Sequence, residues 1–337
     1  MPCKFIKSKS ITPILFAFSL LLPIASNAAN SCSEVLTEKS DQVSQLEKEG
    51  DRFNLNHSYI APTFNRIPPG KFVMFTHDFR GNSFPGQSID VTLTESFHLM
   101  TTPVTQLMWA KLLVLMGNVR PDSINPSIFK NGEDSVKFRN FEDSGISMTM
   151  QPNHPVENLR AIDIELFITR LNELSRLAVP QVQKALREII PDHKLNDVYD
   201  LPTEAQMSYV LSNLGQAPHD YFDNNGDMEK YAWMVTNSGN HTHNVATRTP
   251  RVIAGREYYD LEGNVWEMTK SHVGWGYPLI GGVYPVGEPD GQVILRGGSF
   301  AREKEFMSHS FRGVWRGEYA QKDVGFRLLR KPRFFGD

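Results

Sequence analysis

The stretch Tyr259-Asp260-Leu261-Glu262-Gly263-Asn264-Val265-Trp266-Glu267-Met268 mixes acidic, apolar and turn-forming residues within ten positions. The chain from Asn65 onward has a related texture, with short β-branched and aromatic runs that Gly and Pro interrupt. Such runs favour short strands joined by many loops over a layered, doubly wound fold. We therefore predict an α+β domain that is rich in irregular loops.

Three segments have the apolar spacing of amphipathic helices. They span residues 106–116, 161–174 and 181–190. In the second segment, the residues expected near one buried face are Ile162, Leu166, Ile168 or Thr169, and Leu171. In the third, which lies between two prolines, the residues expected on one side are Val182, Leu186, Ile189 and Ile190.

Six shorter sequence motifs occur at separate places along the chain, in addition to residues 259–268. They are IPPGKFVM (67–74), VTQ (104–106), NHPVENL (153–159), LPTEAQ (201–206), LRGGSF (295–300) and GFRL (325–328). Together with residues 259–268, the set resembles the motif series of the formylglycine-generating-enzyme, or sulfatase-modifying-factor, family. The resemblance covers roughly residues 65–330 and implies a C-type-lectin-like α+β core.

The resemblance also divides the chain. Residues 1–28 are a predicted signal peptide, residues 29–64 a polar leader, and residues 65–332 the formylglycine-generating-enzyme-like domain. Residues 180–198 lie where the family's helix usually runs almost directly into the LPTEAE motif, so we interpret them as an insertion. Its apolar helix face is expected to pack on the domain, with a partner-binding role as the alternative.

The amino terminus has the features of a secretory signal peptide. Three lysines within the first nine residues precede an apolar run from Ile14 to Ile24, and Ser26-Asn27-Ala28 forms a cleavage-type tripeptide. The run is too short to span a bilayer, which takes roughly 18 or more apolar residues. We expect cleavage after Ala28 and a periplasmic or secreted protein without a transmembrane segment. A lipoprotein acylated at Cys32 is the alternative, although the residues before Cys32 fit such processing poorly.

Charge and cysteine content narrow the function classes. The chain has 35 basic and 38 acidic residues, and cleavage removes three lysines, which leaves a formal net charge of −6. This net negative charge gives no indication of a nucleic-acid-binding surface. Cys3 leaves with the signal peptide, so the mature chain keeps Cys32 alone and has no intramolecular disulfide.

The family's known reaction is oxidation of a substrate cysteine by copper, which two enzyme cysteines hold just beyond the RGGS motif. Two thiolates are needed because soft sulfur ligands select Cu(I). Residues 300–307 here read FAREKEFM and contain no cysteine. Arg302 stands at the first cysteine position and Met307 close to the second. The sequence therefore predicts no copper centre.

The resemblance further implies a structural Ca²⁺ in the loop that the opening stretch forms. Its ligands would be the side chains of Asp260 and Glu267 and the carbonyls of Gly263 and Val265, because hard oxygen donors suit calcium. In the alternative without metal, Asp260 caps the loop and Glu267 pairs with an arginine.

A substrate groove is also implied, bordered by Trp266 and Ser299 and close to Arg302 and His309. Arg302 would place a fixed cation where the oxidase has a thiolate, which favours an anionic or carboxylate-bearing ligand. Alternatively, Arg302 turns to the surface and pairs with Glu303 or Glu305.

Other histidines and arginines have simpler interpretations. His241 and His243 could form a zinc or iron site with His309, but an ordinary loop is the favoured interpretation. Three arginines near the carboxyl end are expected to form core ion pairs with Glu204 and neighbouring acids. They are Arg312, Arg316 and Arg327.

Two functions follow from these observations. The first is a binding domain for a peptide, glycan or partner protein of the cell envelope, which the loss of the cysteine pair favours. The second is an oxidoreductase or tailoring enzyme that acts on an exported peptide or protein with another metal or with none. Exported, cysteine-poor family members of siderophore maturation keep this second function open.

Overall fold

The computed structural model describes residues 59–78, 87–116, 124–139, 147–217, 227–273, 282–283 and 292–331. All of them belong to one compact unit. The predicted signal peptide, the leader up to residue 58 and Cys32 lie outside these ranges. Across the described ranges, the helices all lack the length and hydropathy of a membrane span.

Short strands and four helices form the described part of the chain. The strands are β1 (Phe64–Ile67), β2 (Gly70–Asp78), β3 (Gln87–Leu93), β4 (Phe97–Met100), β5 (Val136–Arg139), β6 (Ser147–Met150), β7 (Tyr199–Asp200), β8 (Arg251–Ile253), β9 (Arg256–Tyr258), β10 (Trp266–Val273), β11 (Gly282–Val283), β12 (Gln292–Arg296), β13 (Phe311–Arg316), β14 (Val324–Gly325) and β15 (Leu329–Arg330). The helices are α1 (Gln106–Met116), α2 (Ala161–Arg176), α3 (Pro180–Ile189) and α4 (Glu204–Leu211).

Two sheets organise these strands. The larger has the order β11-β3-β2-β13-β12-β10-β14 and mixes parallel with antiparallel pairs, and the smaller has the order β1-β4-β15-β7. Strands from late in the chain lie inside both sheets: β13 lies between β2 and β12, and β15 lies between β4 and β7. The α+β prediction, with many loops, is confirmed.

The three predicted helices are present, with one error in the buried face of α2. Helix α1 has the predicted bounds, and α2 continues two residues beyond the predicted end, to Arg176. On α2, Ile162 and Leu166 are 46% and 54% exposed, so the prediction that they face the core is wrong. The buried residues of α2 are Ile164, Phe167, Ile168, Leu171 and Ser175. The buried face of α2 thus follows the helical spacing i, i+3, i+4 and i+7, starting at Ile164. This face is turned towards α1, where Phe167 stacks on Trp109 at 4.6 Å between ring centres.

Helix α3, in the predicted insertion, packs on the domain. All four predicted contact residues are buried within the main core cluster; they are Val182, Leu186, Ile189 and Ile190. The segment that follows is bound by buried polar contacts. His193 contacts Gln183 of α3 at 3.1 Å and the Tyr199 hydroxyl at 2.8 Å. The helix of the predicted insertion is therefore part of the packed core, as an apolar face beside a large domain predicts.

The LPTEAQ block forms a capped helix start and a buried ion pair. Thr203 accepts a hydrogen bond from the Gln206 backbone, and Gln206 accepts one from the Thr203 backbone, which makes a capping box. Glu204 is buried between Arg296, at 2.6 Å, and Arg312. Burial alone would raise the pKa of Glu204, but the two guanidinium groups hold it below its usual value.

The predicted ion pairs of the three carboxyl-terminal arginines are therefore correct in part. Arg312 pairs with Glu204 as predicted, and Arg327 pairs with a different buried acid, Glu267. Arg316 is exposed at the end of β13, so the prediction of a core ion pair for this residue is wrong.

Candidate functional site

Arg327 organises the loop that contains residues 259–267. Its Nε donates to both carboxylate oxygens of Glu267 at 3.0 Å, and its Nη2 donates to Glu267 Oε1 at 2.7 Å. The same guanidinium donates to the carbonyls of Met100, Tyr259 and Asp260 at 2.8–3.0 Å. One buried arginine thus joins β4, the loop and β10.

The loop backbone has positions that few residue types can occupy. Asp260, Gly263 and Asn264 all have positive φ. A Cβ atom at Gly263 would lie 2.4 Å from the Trp233 carbonyl oxygen, so glycine is required there. Asp260 Oδ2 accepts a hydrogen bond from the Ala246 backbone, and Oδ1 accepts one from Asn264.

This arrangement agrees with the alternative without metal. Both carboxylates expected to hold calcium, those of Asp260 and Glu267, already accept protein hydrogen bonds on each oxygen. Arg327 supplies the positive charge beside Glu267. As arranged, the residues do not fit a Ca²⁺ ion bound by Asp260, Gly263, Val265 and Glu267. The calcium site stays a prediction that a titration can test.

The segment after Gly297-Gly298 is the one in which the family resemblance implies the position of the oxidase centre. Ser299 is fully buried, and its hydroxyl donates to Asp323 Oδ2 at 3.0 Å. Met307, near the second cysteine position, is also fully buried. It packs in a small cluster with Met228, Ala232 and Met234. The second position is therefore filled by an apolar side chain within the described residues.

Arg302, at the first cysteine position, lies at the surface of this segment. Its side chain is 40% exposed, and its Nε lies 3.8 Å from Asp323 Oδ2. The guanidinium carbon lies 5.6 Å from the centre of the Phe306 ring. The observed ion-pair partner is Asp323, so the alternative pairing with Glu303 or Glu305 is not what the structure contains.

Three of the four predicted groove residues are buried: Ser299, described above, Trp266 and His309. Trp266 on β10 is 3% exposed and contacts Phe311, at 6.0 Å between ring centres. His309 is 3% exposed, and its carbonyl accepts a hydrogen bond from Arg296. The structure therefore buries the side chains of Trp266, Ser299 and His309, and the substrate groove stays a prediction. Asp323 still connects the region, because its carbonyl accepts a hydrogen bond from the Trp266 backbone.

A cavity of about 560 Å³ is found at a different place. It lies where α2 begins, beside the first residue of β12 and the last residue of β13. Ile162, one of the exposed apolar residues of α2, is part of its wall. The residues that line it also include Arg160, Glu165, His272, Gln292, Arg316 and Glu318.

A family profile described as the sulfatase-modifying factor enzyme 1-like domain matches residues 54–332. The chain belongs to this sulfatase-modifying-factor family. Solved structures share the fold with this chain at low sequence identity, while no curated protein sequence matches it significantly.

Two solved structures illustrate the likeness. Treponema denticola variable protein 1 has 22% sequence identity and a TM-score of 0.58, over 80% of this chain and 95% of that one. PvdO from Pseudomonas aeruginosa has 18% identity and a TM-score of 0.55, over 80% of this chain and 94% of that one. At these identities the likeness shows the fold alone.

In this member of the sulfatase-modifying-factor family, the histidines near residue 240 make contacts with other aromatic rings. His241 and His243 have ring centres 4.3 Å apart, and His154 lies 6.4 Å from His243. His309 is not part of this group. Within the described ranges, no group of three or more His, Cys, Asp or Glu residues is arranged to hold a metal ion. The ordinary-loop interpretation of His241 and His243 stays a prediction.

The sequence prediction missed the partners of this histidine group. Trp233 stacks on His243, and Arg248 lies over the Trp233 ring. Residues 233–248 have neither a helical nor a strand period, so spacing gave no signal for these contacts. The loop is joined to the Arg302 segment, because the Val235 backbone donates to the Arg302 carbonyl at 3.0 Å.

Proposed function

We propose that the protein is an exported binding member of the sulfatase-modifying-factor family, which holds an acidic group of a cell-envelope peptide or protein at Arg302. The observation that carries this proposal is the replacement at the oxidase position. A half-exposed arginine over an aromatic ring stands where the oxidase needs its first thiolate.

The chemistry of copper argues against an oxidase. Cu(I) in this family needs two soft thiolates, and the mature chain has only Cys32, far outside the motif blocks. Met307 offers a weak thioether donor, and its side chain is enclosed by Met228 and Met234. A Cβ on Gly298 would lie 2.9 Å from Met307 Cγ, so the packing around this thioether is close.

The geometry of Arg302 supports recognition of a carboxylate. Its Nε is buried and has no hydrogen-bond partner, and the nearest acid, Asp323, is 3.8 Å away. Asp323 is already bonded to Ser299, so it holds Arg302 in place without saturating its donors. A planar guanidinium with unused donors favours a carboxylate, which can accept two parallel hydrogen bonds.

An enzyme function has one observation in its favour. Glu157 is fully buried, and burial raises its pKa to about 7 despite hydrogen bonds from Phe129 and Ile128. Phe129 contacts Phe300, the residue after Ser299, at 5.2 Å between ring centres. A carboxyl that titrates near neutrality is a candidate acid or base, which supports a tailoring enzyme as the second candidate.

Binding of acidic peptides by the mature protein tests the first proposal. An array would present peptides containing Asp and Glu beside matched peptides containing Asn and Gln. We expect binding of acidic peptides that Arg302→Ala weakens at least roughly tenfold and Arg302→Lys restores only in part. Arg170→Ala, an exposed arginine on α2, is the matched control. Equal binding by wild type and Arg302→Ala would contradict the proposal, and so would an array without acidic binders.

Copper and oxygen assays separate the two functions. With a competing Cu(I) chelator and a cysteine-containing peptide, we expect neither high-affinity Cu(I) binding nor oxygen consumption. Oxygen consumption that Glu157→Gln abolishes and Arg302→Ala leaves intact would favour the tailoring enzyme instead.

A further inference from the structure

Trp233 lies between a guanidinium and an imidazole. The Arg248 guanidinium carbon is 3.6 Å from the ring centre, and the His243 ring is stacked at 3.6 Å with an interplanar angle of 9°. Two groups at this distance cannot share one face of an indole, so they lie on opposite faces. The His241 ring is tilted against the His243 ring at 4.3 Å between ring centres, so the stack consists of Arg248, Trp233 and His243.

The stack is fixed by hydrogen bonds to the backbone and to the family's signature loop. His243 Nε2 contacts the Ser238 carbonyl at 2.7 Å. Asn264 binds both the amide and the carbonyl of His243, at 3.1 and 3.0 Å. The Trp233 indole nitrogen donates to Thr247 Oγ1 at 3.0 Å. The ring under Arg248 is therefore held in one orientation.

Arg248 has no ion-pair partner among the described residues. Its Nε is buried and has no hydrogen-bond partner, and its charge is felt by buried Asp260 and by His243 without direct contact. Stacking uses the flat face of a guanidinium and leaves its in-plane N–H donors free. Arg248 is thus a half-buried cation held on an aromatic ring with unused donors.

The charge around Arg248 selects the class of ligand. Burial, together with neighbouring His241 and Arg248, lowers the pKa of His243, and burial lowers that of His154 to about 3. Both imidazoles are therefore neutral at pH 7 and add no positive charge. One cation with paired donors matches a singly charged carboxylate better than a phosphate dianion.

We propose that Arg248, stacked on Trp233, is a second carboxylate-binding site of this protein. It lies outside the motif blocks of the family and is independent of Arg302. The expected ligand is a carboxylate group of a peptide or small molecule, bound edge-on to the guanidinium.

The indole N–H signal of Trp233 in NMR spectra of the mature protein reports on this site. Trp233→Phe assigns the signal, and the probes are succinate and uncharged succinamide. We expect succinate to shift the signal in a saturable way and succinamide to leave it unchanged. Arg248→Met should abolish the shift. Arg248→Lys should weaken the binding of succinate at least roughly tenfold, because an ammonium group lacks the paired, coplanar N–H donors of a guanidinium.

A control variant separates binding at Arg248 from binding elsewhere on the protein. Arg256→Met, an exposed arginine on β9, should bind succinate as the wild type does. The Trp233 signal reports on Arg248 and the peptide array reports on Arg302, so failure of this proposal and failure of the proposed function are distinguishable. Absence of a saturable shift, or unchanged succinate binding by a folded Arg248→Met protein, would overturn the proposal. Tighter binding of inorganic phosphate or sulfate than of succinate would overturn the carboxylate assignment.

Discussion

At the scale of single residues, the buried acids differ in how their charge is balanced. Glu204 and Glu267 each have arginine partners that neutralise their charge, whereas Glu157 depends on backbone donors and leaves Oε2 without a hydrogen bond. A buried carboxylate without a strong partner is destabilised relative to its protonated form. Removing the charge of Glu157 and removing the charge of Glu267 are therefore expected to change the stability of the protein in different ways.

Glu157 makes stability depend on pH. Its pKa is raised from 4.5 to about 7 in the folded protein, so the folded state keeps a proton that the unfolded state releases between these values. Stability contributed by this group is present below pH 4.5 and is lost as the pH rises towards 7. The loss amounts to roughly 3 kcal/mol.

Urea unfolding of wild type and Glu157→Gln at pH 4.5–8 measures this effect. We expect the variant to gain stability relative to wild type as the pH rises through this window and to keep that gain above pH 7. Glu165→Gln, an exposed position on α2, controls for loss of a charge. A difference between Glu157→Gln and wild type that does not change with pH would exclude the effect.

Loss of the Glu267 charge is expected to destabilise the protein, in contrast to loss of the Glu157 charge, because Arg327 would then be buried without an ion-pair partner. Glu267→Gln should cost roughly 3–5 kcal/mol of stability. Thermal unfolding with calcium and with a chelator would show whether the loss involves metal. The geometry leads us to expect equal melting temperatures in both conditions. A calcium-dependent rise in wild type that Glu267→Gln abolishes would instead establish the calcium site.

At the scale of elements, periodicity located the helices but did not always identify their buried faces. The strong apolar face of α3 was assigned correctly, because polar residues fill its other side. On α2, apolar residues occur on both sides, and sequence spacing alone could not decide between them. The orientation of α2 is set by the contacts of Phe167 with Trp109 and Phe326. Because both partners are far from Phe167 in sequence, local spacing does not reveal these contacts.

Paired alanine substitutions test both assignments. Leu186→Ala on α3 removes a fully buried side chain from the main core and should cost roughly 2–5 kcal/mol. Leu166→Ala on α2 removes an exposed side chain and should change stability by less than about 0.5 kcal/mol. Chemical denaturation gives both values. Comparable losses for the two variants would mean that α2 packs through the face that was predicted from sequence.

At the scale of the whole molecule, the motif blocks predicted the fold because they contain residues that fix the backbone conformation at turns and at a helix start. Gly263 is required by the close approach of the Trp233 carbonyl, and Thr203 with Gln206 forms a capping box. The blocks did not predict which side chains reach the surface. Trp266 belongs to the best-matched block and is buried, whereas Arg248 and Trp233 come from a loop without a sequence period.

The mature amino terminus is a further prediction about the whole chain, and it lies outside the described residues. We expect export to remove residues 1–28 and leave Ala29 first, since Ser26 and Ala28 place small residues at the third and first positions before the cut, shortly after the apolar run. Intact-mass measurement of protein from the periplasm or culture medium decides this. A diacylglycerol adduct on Cys32 would show a lipoprotein instead.

The position of β15 between β4 and β7 has a consequence for synthesis. Leu329 pairs with Leu99 on one side and with Asp200 on the other, and Arg327 joins Met100 to Glu267 just before that strand. A chain that grows from its amino end leaves two strand edges open until residue 330 has been added. Open edges pair readily with other chains. Premature termination upstream of Leu329 therefore yields an aggregation-prone fragment rather than a shortened working domain.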